Sequence, residues 1–358
     1  MEISTEKIDH NSLLAYSSIN VGDEIQSIAA WQYFESVNGF IHREQLSNYR
    51  GPQSNIFLNA WWAWTENCWP VPKHLRALPI SMHIRPEARR FFGTPEGRER
   101  LAQIGPVGCR DIATLEYVLS LDVPACFSGC LTLTLKREEA LPEASEEYIL
   151  CVDVDRETEL AIQRASPVRV ISISRKLNPL VGANSRLFFA QMMLAAIQGA
   201  KAVVSGMLHV VLPSIALGTP VTRVVASTKE IDVSHRWSGY EEIAPVVSLK
   251  EIASHGISLS KKDRKLNSLA QASALRTDLE RRASEFTASS IIQSRGLKID
   301  PLDAARGLLT FAHVSKGALE DAAMFCSPRQ LRRALRLRRA GLTKHSLPLE
   351  APNLNTNS

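Results

Sequence analysis

The chain has 358 residues, 45% of them hydrophobic and 22% charged, a globular composition with enough apolar sequence for two cores and their domains. No run approaches the roughly 18 apolar residues of a membrane span, and the opening MEISTEKIDHNS lacks the apolar stretch of a secretory signal. The net charge of +5 is concentrated in RQLRRALRLRRAGLTKH, Arg329–His345. Removing its seven Lys and Arg leaves −2 on the rest, which excludes a general polyanion binder and leaves nucleic acid without support.

In chain order, SLLAYSSI (Ser12–Ile19) predicts a buried strand, and DEIQSIAAWQYF predicts an amphipathic helix over Asp23–Phe34. Short apolar runs follow at Phe40–His42, Asn55–Ala60 and Leu78–Ile84. PVGCRD leads into a helix over Asp111–Leu121, then the strand ACFSG, and FSGCLTLTL (Phe127–Leu135) reads as a further buried strand. The polar stretch KREEALPEASEE, Lys136–Glu147, marks a linker. A second series begins at Tyr148–Asp155, with a strand at Val168–Arg175, a helix at Ser185–Ala200, a strand at Ala202–Ser205, a short helix from His209 and a strand in TPVTRVVA. Alternating strands and helices imply parallel βαβ units. The expected fold is α/β, with two Rossmann-like domains over 1–143 and 148–258. A helical extension follows over 259–346, with helical patterns at Lys261–Arg295, Asp300–Ala312 and ALEDAAMF, and then a disordered tail over 347–358. Ligands of such folds sit beyond the C-terminal ends of the strands.

Four stretches carry chemistry. In NVGDEIQ, Asn20–Gln26, Gly22 permits a tight turn and the helix start offers free N–H groups to an anion or a sugar hydroxyl; Asp23 is either the helix cap or a substrate contact. In IGPVGCRDIATLE, Arg110 falls where a strand ends and a helix begins. There it grips a carboxylate or phosphate, or pairs with a neighbouring acid, while Asp111 caps the helix. In FSGCLTLTL, Ser128 and Gly129 are candidates for the cleft floor. In VVSGMLHVVLPSIALGTPV, His209 stands alone in an apolar run. It is either a satisfied core histidine or a titrating group at a helix start, where the dipole disfavours its protonated form and keeps it titratable near neutrality. The six cysteines (Cys68, Cys109, Cys126, Cys130, Cys151, Cys326) show no CxxC pair or zinc spacing and read as reduced thiols of a cytoplasmic protein; no metal is expected.

In this order and spacing, the stretches resemble the polysaccharide pyruvyl transferase family, from about Asn20 to about Pro245. The family's N-x-G-D-E, GCRD-x2-T-L and SGCLTLT segments are matched closely, and RWSGYEEIAPV (Arg236–Val246) is similar to a later family segment. The resemblance implies a GT-B-like arrangement of the two domains. It also implies transfer of the pyruvyl group of phosphoenolpyruvate to two sugar hydroxyls as a ketal, with release of phosphate and no cofactor. Arg110 and His209 occupy two family positions that serve phosphoenolpyruvate. At the third, where the family has Arg, this chain has Met207, followed by Leu208. Arg236 ranks first to replace the missing charge, ahead of Arg175 and Lys201. His83 is a weaker candidate for acid–base or sugar contact.

The implied partners are phosphoenolpyruvate and a sugar or lipid-linked oligosaccharide. WWAWTENCW, Trp61–Trp69, either fills a core or stacks an acceptor sugar. The basic helix Arg329–His345 is either a solvated face or a peripheral contact with the anionic inner face of a membrane. Two other readings stand beside the transferase. One is a catalytically weakened member that only binds a sugar or an anion. The other is a GT-B glycosyltransferase using a sugar nucleotide.

Overall fold

The computed structural model describes residues 8, 10–62, 65–177, 181–225, 234–257, 266–289 and 292–308. The basic segment Arg329–His345, the ALEDAAMF pattern and the tail fall outside them. The chain folds as mixed α/β with two four-stranded, wholly parallel sheets.

The first sheet draws on β1 (Asn11–Ala15), β2 (Gly39–His42), β3 (Ser54–Phe57) and β5 (Leu75–Leu78), in the order β2-β1-β3-β5, with α1 (Gly22–Trp31) after β1. Two short parallel pairs extend this half: β4 (Trp61–Trp62) with β6 (His83–Ile84), and β7 (Val107–Cys109) with β8 (Ala125–Phe127). Helices α2 (Arg89–Phe92), α3 (Pro95–Ile104) and α4 (Ile112–Leu119) connect them. The run Leu78–Ile84, expected as one strand, is broken where Ser81 takes a left-handed φ of 55°. The break carries the chain from β5 across to β7. Gly108 N–H donates to Pro79 O at 2.7 Å, Met82 N–H to Gly108 O at 2.9 Å and Arg110 N–H to Met82 O at 2.8 Å.

The second sheet is β10-β9-β11-β12, from β9 (Tyr148–Val152), β10 (Arg169–Ile173), β11 (Ala202–Ser205) and β12 (Val221–Arg223). Parallel strands covered on both faces need continuous apolar sequence, and YILCV and AVVS are buried throughout. Helices α5 (Arg156–Ala165), α6 (Ala183–Gly199), α7 (Leu208–Ala216) and α8 (Leu249–His255) complete this half. Asp111 caps α4, as expected, by accepting from Thr114 N–H at 2.9 Å.

FSGCLTLTL departs from the expected strand. After Gly129, at φ +73°, residues Leu131–Thr134 form a 3-10 turn. Thr134 Oγ1 donates to Leu131 O at 2.8 Å, and Gln32 Nε2 donates to Thr134 Oγ1 at 2.9 Å. Threonine side chains that bond locally offer the backbone an alternative to a ladder.

The two sheets share one core. The largest buried apolar cluster joins Leu13, Ile25 and Phe57 from the first half to Leu150, Val203 and Val211 from the second. It also takes in Leu279 and Ala283 of α9 (Leu266–Thr287) and Leu302 of α10 (301–308), so these helices are core elements rather than an appendage. The expected linker is docked as well: Lys136 pairs with Glu280 at 2.9 Å, Glu138 N–H donates to Gln198 Oε1 at 2.9 Å, and Leu141 packs on the core. A backbone bridge, Asn20 with Lys176, ties the loop after β1 to the loop after β10: Val21 N–H donates to Arg175 O at 3.0 Å and Leu177 N–H to Ile19 O at 2.7 Å. Beside it the buried carboxylate of Glu24 in α1 grips Arg186 of α6 in a fork of 2.6 and 3.1 Å.

Candidate functional site

The polar centre lies beyond the C-terminal ends of strands from both sheets. Arg110 follows β7 directly and is 1% exposed. Its Nη1 donates to Gln26 Oε1 of α1 at 2.9 Å and faces His209 Nε2 of α7 at 3.2 Å. Tyr240 Oη donates to the Arg110 carbonyl at 2.7 Å, fixing the backbone behind the guanidinium. Arg110 Nε has no hydrogen-bond partner among the described residues.

A guanidinium can only donate, so this contact assigns His209 Nε2 as acceptor and puts the imidazole proton on Nδ1. Burial pushes the His209 pKa well below the ordinary 6.5, and the charges of Arg110, Arg236 and Arg175 push it the same way. The expectation of titration near neutrality is therefore corrected: the resting imidazole is neutral. Gly22, at the start of α1, makes room for it. A Cβ there would sit 2.9 Å from Asn20 Oδ1, 3.0 Å from His209 Cβ and 3.1 Å from His209 Nδ1.

His83 adjoins this pair. Its Nδ1 lies 2.5 Å from Asp111 Oδ2, and Asp111 Oδ1 accepts from Thr114 N–H and Oγ1, both at 2.9 Å. Burial, with Arg110 and Arg236, takes the His83 pKa down to about 3 against the pull of Asp111. Burial alone would raise the Asp111 carboxyl, but the His83 hydrogen bond and the Arg110 charge hold it below its usual range. A neutral imidazole donating to an ionised carboxylate satisfies both directions.

Arg236 sits in a 3-10 turn, Ser234–Trp237, with its guanidinium 5.0 Å from the centre of the Trp61 ring and its Nε unpartnered among the described residues. Burial lowers its pKa to about 10; Arg110, Arg175 and Arg85 add to the fall, and Asp23 opposes it. Arg175, after β10, pairs with Asp153 at 2.9 Å. Neither Arg110 nor Arg236 forms an ion pair with a carboxylate among the described residues. The centre is thus largely buried and rich in donors, with the Arg110 and Arg236 guanidinium groups free of any carboxylate pair among the described residues, which suits an anionic ligand.

The other expected site residues have structural partners. Asn20 Oδ1 accepts from Gly22 N–H at 2.9 Å. Asp23 is not the cap of α1, whose N-cap is Val21; its buried carboxylate accepts from Ser18 Oγ at 2.6 Å. Ser128 Oγ bonds the backbone at Cys109 O, Gly129 O and Ser81 N, and Gly129 backs onto Leu275 of α9. Met207 and Leu208 lie in the shared apolar core. Lys201 precedes β11, at the strand end opposite His209, and pairs with Glu147 at 2.7 Å. Trp62 packs edge-on against Trp69 and Phe92 in a core, whereas Trp61 is half-buried. Sequence reasoning missed Gln26 and Tyr240 as partners of Arg110. Both stand within quoted motifs, but nothing local marks their contacts.

Among the described residues, no group of three or more His, Cys, Asp or Glu is placed to hold a metal ion, and no helix is long and apolar enough to cross a membrane. No family model and no curated protein matches the chain. Among solved structures it is similar to a functionally uncharacterized protein of Klebsiella pneumoniae, at 14% identity and a TM-score of 0.39, over 67% of this chain and 92% of that one. That likeness is too slight to define either fold or activity.

Proposed function

We propose that this protein moves the pyruvyl group of phosphoenolpyruvate onto two hydroxyls of a sugar, in a surface polysaccharide or its precursor, forming a ketal and releasing phosphate. In this reading the two sheets are Rossmann-like domains in a GT-B-like arrangement. The enzyme works in the cytoplasm, with Arg329–His345 as its contact with an anionic membrane face. One observation carries the reading: Arg110, from the first half of the chain, and His209, from the second, meet at 3.2 Å in a largely buried, donor-rich centre.

Phosphoenolpyruvate brings close to three negative charges. Its carboxylate and phosphate compete for the guanidinium groups of Arg110 and Arg236, releasing His209 Nε2 from Arg110. The same negative charge raises the His209 pKa, so the imidazole takes up a proton as the ligand binds. The imidazolium then delivers that proton to the methylene carbon. The double-bond electrons form the new C–H bond, leaving positive charge on the central carbon and its oxygen. One sugar hydroxyl adds there and returns its proton to His209. The second hydroxyl forms the other C–O bond while the phosphate leaves with its electron pair, held by the arginines, and takes the remaining proton.

Glycans incubated with carbon-labelled phosphoenolpyruvate should gain labelled pyruvate, read by mass spectrometry, together with released phosphate. His209→Ala should abolish both while the fold is retained; an unchanged rate removes His209 from the mechanism. A binding-only reading is favoured by Met207, which is packed in the core and supplies no charge. It predicts phosphoenolpyruvate binding with neither product.

A further inference from the structure

The Trp61 indole is a hub of positive charge rather than a bare stacking surface. Three guanidinium carbons lie within 6 Å of its ring centre: Arg236 at 5.0 Å, Arg85 at 5.1 Å and Arg43 at 5.7 Å. Arginines gather on an indole because its face is electron-rich. Here the ring holds three like charges in one place. Arg43 and Arg236 each keep a buried donor without a hydrogen-bond partner among the described residues. Arg43 is 2% exposed and pairs with Glu44, yet its Nη1 has no hydrogen-bond partner among the described residues. Arg85 pairs at 2.6 Å with Glu87, whose side chain is 51% exposed. Arg85 itself is largely buried, at 9% exposure. Arg236 has no carboxylate partner among the described residues.

This group borders the centre described above. Trp61 of β4 is in register with His83 of β6, and His83 bonds Asp111, the residue after Arg110. Arg236 feels the charges of both Arg110 and Arg85. The chain therefore sets two guanidinium-bearing clusters side by side, one around Arg110 and His209 and one around Trp61, with Arg236 between them.

We propose that the face at Trp61 is a second oxyanion subsite, formed by Arg85 and Arg236 with Arg43 behind them, and that it takes the charged group of an anionic acceptor sugar. That group is a phosphate ester or a uronate carboxylate, both of which match the guanidinium fork. Naming the occupant as the acceptor rests on the pyruvyl-transfer reading; the subsite itself does not. An uncharged sugar would leave Arg236 and Arg43 with buried donors unmet.

Isothermal titration with inorganic phosphate should give two sites per chain. With phosphoenolpyruvate saturating the first site, glucose 1-phosphate or glucuronate should bind at least tenfold more tightly than glucose. Which of the two binds identifies phosphate or carboxylate as the recognised group. Arg85→Gln should weaken the charged sugar at least tenfold more than it weakens phosphoenolpyruvate, and Arg110→Gln should do the reverse, with near-UV circular dichroism confirming the fold of each. Should Arg85→Gln fail that check, Trp61→Leu, which removes the hub without removing charge, should show the same selective loss. One phosphate per chain, equal binding of glucose and the charged sugars, or equal losses for both ligands would overturn the subsite. Two phosphates without any ketal product would leave it standing and remove the transferase reading. Ketal formation with a single phosphate would do the opposite.

Discussion

At the level of single residues, Gly22 shows how tightly the centre is drawn. A methyl group there would meet Asn20 Oδ1 at 2.9 Å and His209 Cβ at 3.0 Å. Neither neighbour is the free end of a long side chain, so the imidazole has to move. Gly22→Ala is expected to displace His209 from Arg110 and to lower turnover at least tenfold, with the thermal midpoint shifted by only a few degrees; an assay with a parallel melting curve checks it. The three most chemical positions, Gly22, Arg110 and His209, are legible in the sequence because each stands where a strand hands over to a helix. Gln26 and Tyr240 are not, because a hydrogen bond formed across 84 or 130 positions leaves no local pattern.

Among the elements, the fully buried strands β9 and β11 are readable as short apolar runs between turns. The 3-10 turn at Leu131–Thr134 is not, because such a run has no period to separate strand from coil. Helix α9 illustrates a different limit. Its charged pattern suggests an element outside the core, yet Leu279 is fully buried against both halves. Periodicity gives the helix but not the surface its narrow apolar side will meet. Leu279→Ala should therefore cost about 2–5 kcal/mol, as deletion of a packed leucine does elsewhere. Urea unfolding checks this, and a loss under 1 kcal/mol would show that α9 docks loosely.

For the molecule as a whole, the buried ionisable groups set how stability follows pH. Folded His83 and His209 stay neutral well below 6.5, while the unfolded chain binds a proton at each near that value. The unfolded state then holds more protons, and stability falls as the pH drops below 6.5. Glu24 acts in the opposite direction. Burial raises it to about 7 against the pull of Arg186, so between its ordinary 4.5 and 7 the folded state holds the extra proton. Two histidines outweigh one carboxyl by one proton, worth about 1.4 kcal/mol per pH unit, and His42, also lowered by burial, acts in the same direction. At least about 2 kcal/mol should be lost between pH 6.5 and pH 5, measurable as a lower urea midpoint. A flat profile would mean that the histidines charge within the fold.

The backbone bridge between the loops after β1 and β10 has a mechanical consequence. A molecule built as two hinged jaws can gape to admit a long polymer and then clamp down on it. This one is riveted where its halves meet, and prising it apart would tear main-chain hydrogen bonds and split a common interior. The arginine–imidazole contact is therefore ready-made rather than assembled by closure.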